Sequence, residues 1–261
     1  MLKWPWKRKR QAMSPSLIRY DMHSHLLPGV DDGVNDFDEA CAAIELLMKI
    51  GYQGAVTTPH VYPGMFDNST DELLGYFESF RLQIKMTYPD FPVRLGAEYY
   101  LDDSLVERIR NHPDSILRFG RKNTWFLVEL PTKSPPEQMV EFFKACGQAN
   151  LRPIIAHVER YEYIMNHPVM VDDWRNAGAL IQVNLGSFGG QYGARVQTAA
   201  HQIYDAGVVN FIGTDLHRPR FGRGYLSSGW RNLAQNRTEF DPTYHHQLID
   251  DGSSHGTQEQ P

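Results

Sequence analysis

Histidines and carboxylates recur in short clusters, each just behind a strand-like run. Asp21-Met22-His23-Ser24-His25 is followed by Asp31-Asp32-Gly33, and His60 closes Thr57-Thr58-Pro59-His60. Glu98 stands in Gly96-Ala97-Glu98 and Glu129 in Val128-Glu129-Leu130. His157 and Arg160 share Ala156-His157-Val158-Glu159-Arg160-Tyr161, and Asp215 and His217 share Gly213-Thr214-Asp215-Leu216-His217. Residues i and i+2 of a strand point the same way, so His23 with His25, and Asp215 with His217, can each face one centre. Imidazoles and carboxylates converging there repel or sit unpaired without cations; two or three divalent metals resolve the conflict. Mixed ligation of this kind suits zinc, manganese or iron. The expected ligands are His23, His25, one of Asp31 and Asp32, His60, Glu98, Glu129, His157, Asp215 and His217, with Glu98 as the bridging carboxylate. His112, His167, His201, His245, His246 and His255 lie in loop or helix patterns or near the C-terminus and read as non-ligands.

Clustered divalent ions generate a hydroxide nucleophile near neutral pH and neutralise phosphate oxygens during in-line attack. Phosphate also calls for a fixed guanidinium, whose fork matches two of its oxygens. Arg160 is placed to supply one, and Arg218, Arg220 and Arg223 follow His217 in what reads as a loop over the same mouth. Tyr62, Phe66, Tyr99 and Tyr161 near that mouth either stack on a phenyl ring or serve as ordinary packing. Cys146 to Arg152 satisfies C-x5-R, the signature of cysteine-dependent tyrosine phosphatases. That chemistry needs the cysteine in a strand-to-helix loop, whereas Cys146 ends a helical pattern, so it reads as structural.

The elements that must position these groups alternate along the chain. Strand-like runs at Ile18–Met22, Gly54–Thr58, Val93–Ala97, Trp125–Glu129, Pro153–Ala156, Leu180–Asn184 and Val209–Gly213 are separated by helical patterns. The clearest helices are Asp36–Ile50, Asp71–Tyr88, Pro136–Gln148, Val171–Ala177 and Tyr192–Ala206. Seven βα-like units favour a parallel sheet with crossover helices, and a closed barrel over two domains; a doubly wound open sheet is the alternative. In a parallel barrel the strand ends open on one face, where all these clusters would meet.

The 261 residues suffice for one large α/β domain, with 41% hydrophobic and 22% charged residues and a net charge of -5 that argues against general nucleic-acid binding. Cys41 and Cys146 cannot build a disulfide framework, and a cytoplasmic protein is expected. No apolar run is long enough to span a membrane. Residues 1–17 form a basic, flexible leader in which Trp4, Trp6 and Lys7 to Arg10 offer at most weak contact with an anionic membrane surface. The domain is expected over 18–240, and 241–261 as a polar, disordered tail.

These motifs resemble the PHP (polymerase and histidinol phosphatase) superfamily. More narrowly, DMHSHLLPGVDDG, TTPH, GAEYY, AHVERY and GTDLH resemble the bacterial protein-tyrosine phosphatases of the CpsB/YwqE type, over about Tyr20 to Arg223. The resemblance implies a single-domain distorted (β/α)7 TIM-like barrel holding up to three metals, often manganese. It favours Asp32 over Asp31 among the ligands and matches Arg160 to the family's phosphate-binding arginine, with Arg220 or Arg223 as a second. The implied substrate is phosphotyrosine on a partner protein, typically a bacterial tyrosine kinase regulating capsule or exopolysaccharide synthesis. Hydrolysis of a small phosphate ester such as histidinol phosphate or a nucleotide is the alternative activity, and a non-catalytic binding module a third reading.

Overall fold

The computed structural model describes residues 15–236 and 240–249. Helix α1 (Pro15–Ile18) leads into β1 (Tyr20–Asp21), followed by α2 (Phe37–Lys49), β2 (Gly54–Thr57), β3 (His60–Val61) and α3 (Thr70–Thr87). Next come β4 (Val93–Leu95), β5 (Glu98–Tyr100), α4 (Asp103–Asn111), β6 (Trp125–Glu129), α5 (Met139–Gln148) and β7 (Arg152–Ile155). The chain continues through α6 (Glu162–Asn166), α7 (Met170–Asn176), β8 (Leu180–Asn184), α8 (Leu185–Phe188), α9 (Ala194–Asp205), β9 (Phe211–Gly213) and α10 (Pro219–Gln235).

Every strand pair is parallel. β1, β2 and β4 form one sheet; β3, β5, β6, β7, β8 and β9 form the other, in that order. β2 runs into β3 across Thr58-Pro59, and β4 into β5 across Gly96-Ala97. Backbone bonds from Gly96 N to Thr57 O (2.8 Å) and Glu98 N to Pro59 O (2.9 Å) carry the pairing over these breaks. The first and last strands are also tied: Ser24 bridges Leu216, and Asp215 N donates to His23 O at 2.7 Å.

Alternation along the strands sorts side chains into two cores. Phe126, Val128, Ile155, Ile181, Val183 and Ile212 face the helices in the larger one. Tyr20, Met22, Val56, Trp125, Leu127, Ile154 and Phe211 fill the smaller, between the strands. The helices present matching stripes. In α3, Leu73, Phe77, Phe80 and Ile84 are buried, and a Ser69/Glu72 capping box satisfies the first turn.

Two expectations are corrected. Residues from Pro219 on form a helix rather than a loop. Pro219 suits a first turn, and Leu226, Trp230 and Leu233 are buried at helical spacing. A side chain at Gly229 would fall on the Leu185 carbonyl, so this glycine permits the close approach of α8. The polar tail expected from 241 is packed through 249: Tyr244, Leu248 and Ile249 pack against Trp125, Phe211 and their neighbours under the strand ends opposite the histidine clusters. Of the leader expected over 1–17, residues 15–17 belong to α1, while residues 1–14, with Trp4 and Trp6, and the chain from 250 on lie outside the described residues.

His245 locks this closing segment. Its Nε2 accepts from Ile212 N at 3.0 Å, so the neutral ring carries its proton on Nδ1, which donates to Tyr20 O at 3.1 Å. Burial pushes its pKa down to about 3, whereas the unfolded ring takes up a proton below its ordinary 6.5. Its stabilisation is therefore complete above 6.5 and is lost as pH falls, by about 1.4 kcal/mol per pH unit. His245→Ala should lower urea-unfolding stability at pH 7 by about 2–3 kcal/mol, because it orphans a buried N–H. That deficit should shrink by about 2 kcal/mol at pH 5; an equal deficit at both pH values would mean that the ring is not buried neutral.

Candidate metal centre

The expected ligands converge from one end of the strands: Glu129 closes β6, His23, His25, His157, Asp215 and His217 follow β1, β7 and β9, His60 and Glu98 open β3 and β5, and Asp32 comes from the loop before α2. The extended segment after β1 places His23 and His25 with their Nε2 atoms 3.3 Å apart. Gly213 of β9 makes room for this, since a side chain there would meet His23 Cβ at 2.7 Å. Both rings face Glu98 Oε2, at 3.1 and 3.4 Å, and Asp215 Oδ1, at 3.3 and 3.5 Å. His60 Nδ1 lies 3.3 Å from Glu98 Oε2, and His157 Nε2 lies 3.0 Å from Glu98 Oε1 and 3.6 Å from Glu129 Oε1. Asp32 Oδ1 faces His60 at 3.5 Å and His217 at 3.3 Å.

The donors form three overlapping groups, each with one ligand atom per residue and all atoms within 4.8 Å of one another. These are His25, Asp32, His60 and His217; His23, His25, Glu98 and Asp215; and His60, Glu98 and Glu129. His157 adjoins the last two through Glu98.

Position separates the two aspartates. Asp32 joins the ligand atoms, whereas Asp31 stands behind His25, accepting from its Nδ1 at 2.7 Å and from His60 N at 3.0 Å. Asp31 thereby fixes the His25 ring with Nε2 inward, as a carboxylate behind a metal-ligating histidine does. Gln182, within β8, stands behind two other ligands: its Oε1 lies 3.4 Å from His23 Nδ1 and accepts from the His157 backbone N at 2.6 Å, and its Nε2 donates to Asn184 Oδ1 at 2.7 Å. Asn184 in turn donates to Asp215 Oδ2 at 2.8 Å. Sequence reading passed over both amides, although two polar residues at i and i+2 in the otherwise apolar Leu-Ile-Gln-Val-Asn run were a legible signal.

The electrostatics fit a cation-binding set. Burial pushes the Glu98 carboxyl up, but His23, His60 and His157 together outweigh it and hold it well below the usual carboxylate range. Burial likewise opposes ionisation of Asp215, and His23, His25, His217 and His157 together more than compensate. His23 is pushed down by burial yet raised to about 8 by Glu98 and Asp215. Burial and then Glu98 push Glu129 up to about 8, while burial and then Arg160 push His157 down to about 4. Buried carboxylates here retain protons near neutrality on themselves or on their imidazole neighbours, at the points where ligand atoms converge. Divalent cations would replace those protons, and imidazole nitrogens with carboxylate oxygens suit zinc, manganese or iron.

A slot of about 310 Å³ opens beside the cluster, lined by Asp32, Arg160, Tyr192, Asp215, His217 and Arg218. Arg160 Nη1 donates to Asp215 Oδ2 at 3.1 Å. Arg218 donates to Glu39 Oε2 at 2.7 Å and Asn35 Oδ1 at 3.1 Å. Arg220 and Arg223 are exposed on α10 and do not line the slot. Phe66 stacks on His60 (5.2 Å between centroids) and Tyr62 on Tyr100 (4.0 Å), forming an aromatic flank. Tyr99 and Tyr161 are core packing instead, their hydroxyls accepting from Leu117 N and Leu130 N.

Cys146 is buried on α5, where burial pushes its thiol up to about 12, and Arg152 donates from β7 to Gly178 O. Both line a larger cavity of about 840 Å³ at the opposite strand ends, which holds none of the histidine–carboxylate groups.

Parallel strands, helices around them and a buried imidazole–carboxylate cluster at the strand ends define an α/β protein with a candidate multi-metal centre. The chain belongs to the CpsB/CapC family of capsular polysaccharide synthesis, whose family model matches residues 19–251. It is 24% identical over 223 residues to the tyrosine-protein phosphatase CpsB of Streptococcus agalactiae, covering 83% of this chain and 90% of that one. It is 23% identical over 199 residues to the tyrosine-protein phosphatase YwqE of Bacillus subtilis, covering 76% of each. Its fold matches a chain from the crystal structures of YwqE from Bacillus subtilis and CpsB from Streptococcus pneumoniae, described as metal-dependent tyrosine phosphatases. The TM-score is 0.76, with 20% identity, over 88% of this chain and 90% of that one.

Asp31→Asn leaves every ligand atom in place but weakens the hold on His25. It should reduce divalent-metal affinity by about 10–100-fold, measured by equilibrium dialysis with elemental analysis. Unchanged affinity would remove the orienting role of Asp31.

Proposed function

We propose that this protein is a metal-dependent protein-tyrosine phosphatase. The observation that carries this reading is the overlap of three ligand groups beside a slot edged by Arg160, which the relatives' activity then specifies. The ligands would be His23, His25, Asp32, His60, Glu98, Glu129, His157, Asp215 and His217. Manganese is the proposed metal, with iron or zinc as alternatives. In this reading the nine short strands of the described residues count as seven staves, β2 continuing into β3 and β4 into β5, of a distorted (β/α)7 barrel of the PHP type, expected over 18–240 and extended here by the packed segment to 249. The proposed substrate is phosphotyrosine on a bacterial tyrosine kinase that regulates capsule or exopolysaccharide synthesis, in the cytoplasm. Among the described residues no helix is long and apolar enough to cross a membrane.

When bound, the divalent cations supply an activated nucleophile near neutral pH and neutralise phosphoryl oxygens. The residues do the rest. Glu98 offers one oxygen toward His23, His25 and His60 and the other toward His157, the geometry of a bridging ligand. Arg160 presents its guanidinium to the phosphoryl oxygens at the slot. Phe66 and Tyr62 offer flat faces to the leaving phenyl ring. Arg218, which lines the slot, is a better-placed second guanidinium than Arg220 or Arg223.

Phosphatase activity on a phosphotyrosine peptide, with a phosphoserine peptide and histidinol phosphate alongside, is expected to select phosphotyrosine, to vanish on chelation and to return with manganese. Activity on histidinol phosphate alone would replace the substrate, and chelator-resistant activity would remove the metal. Asp215→Asn should abolish turnover. Arg160→Ala should cut kcat/KM about 100-fold with metal content intact, and Cys146→Ser should leave it unaltered; a dead Cys146→Ser enzyme would restore the cysteine mechanism.

A further inference from the structure

Tyr192, expected from the pattern to open a helix, lies instead in the glycine-rich loop Gly189-Gly190-Gln191-Tyr192-Gly193, between α8 and α9, and is not among the expected site residues. Its ring lies under the Arg160 guanidinium, with Cζ 4.6 Å from the ring centroid. Its hydroxyl is 3.4 Å from Asp215 Oδ2, the oxygen that also accepts from Arg160 Nη1 at 3.1 Å and Asn184 Nδ2 at 2.8 Å. Gln191 Nε2 donates to the same hydroxyl at 3.3 Å.

Asp215 thus divides its two oxygens. Oδ1 faces the imidazoles of His23, His25 and His217, and Oδ2 faces away toward Arg160, Asn184 and Tyr192. Arg160 is gripped at one edge by that oxygen and on one face by the ring. Among the described residues nothing takes its Nε or Nη2. A guanidinium on a long stem loses rotamer freedom when it is fixed, and an aromatic shelf meets part of that cost in advance.

The loop itself is anchored from the Arg160 side. Ser187 Oγ and Asn184 N both donate to Glu159 Oε1, at 2.6 and 2.9 Å, so the residue before Arg160 holds the segment that leads to Tyr192. Gln191 N closes the turn by donating to Gly186 O at 3.1 Å.

We infer that Tyr192 is a positioning residue for the phosphate-binding arginine: its ring is the shelf that keeps the free edge of Arg160 aimed into the slot. The inference rests on the phosphatase reading, and it calls for an apolar flat ring at 192 more than for the hydroxyl.

A double-mutant cycle tests it, with the metal-loaded full chain, a phosphotyrosine peptide as substrate, and inorganic phosphate both as inhibitor and as a directly titrated ligand. Tyr192→Leu should lower kcat/KM about tenfold, the size expected for losing one partly desolvated cation–π contact. Phosphate binding should weaken in parallel, with metal content unchanged. Tyr192→Phe should recover most of the loss. In an Arg160→Ala background, Tyr192→Leu should change kcat/KM less than about twofold, since coupled residues do not act additively. Wild-type kinetics in Tyr192→Leu, full additivity with Arg160→Ala, or loss of metal in Tyr192→Leu would each overturn the assignment. Should the loaded wild-type chain fail to hydrolyse phosphotyrosine, the phosphatase reading fails by itself, and the calorimetric phosphate titration of the same four proteins still decides the role of Tyr192.

Discussion

Glu98 is a carboxylate 1% exposed to solvent, with four imidazoles within 3.4 Å of its oxygens. A charge so placed is tolerable only if cations or protonated neighbours meet it, because burying an unpaired carboxylate costs far more than any single packing gain. The four imidazoles come from three different parts of the chain: the segment after β1, the start of β3 and the turn after β7. Compensation therefore depends on all these strands keeping register at once. The interior core of Met22, Val56, Leu127 and Ile154 enforces that register from below, and Asp31 and Gln182 hold the rings from behind.

Much of this was legible because two signals coincided. Apolar runs marked the strands, and titratable residues directly behind them marked where the runs end. β6 and β8 span Trp125–Glu129 and Leu180–Asn184, the very runs read from the sequence. The breaks at Pro59 and Gly96 were less visible, since local pattern does not show whether a strand resumes beyond an interruption. α10 escaped notice because Gly222, Gly224 and Gly229 lower its helix propensity, while its glycine-mediated contact with α8 is a tertiary fact. The closing segment at Tyr244–Ile249 was hidden in a polar stretch whose few apolar residues matter only once the strand ends they cover are known.

Among the site residues, histidines and carboxylates declared themselves by chemistry, and amides and tyrosine did not. Gln182, Asn184 and Tyr192 are types found anywhere in a sequence, and only their shared contacts with His157, Asp215 and Arg160 single them out. Arg218 shows the converse: a guanidinium near the right motif is aimed by the helix it caps, and Arg220 and Arg223, two and five residues further on, are exposed and do not line the slot. The C-x5-R coincidence fails for the same reason, since Cys146 and Arg152 satisfy a spacing without the loop that gives the spacing its meaning.

Among the described residues, His157 and Asp215 are two of five non-glycine residues with positive φ, at 30° and 53°. Each sits where a strand ends, and the left-handed backbone takes its side chain out of the strand's alternation. Such conformations cost free energy that the rest of the fold must supply. The ligand set is consequently poorly portable. Grafting Ala156-His157-Val158 and Thr214-Asp215-Leu216 onto the regular strands of an idealised barrel would reproduce the letters of the site and misdirect two of its donors. A scaffold meant to host this chemistry would have to be chosen first for its two kinks, and only then for its residues.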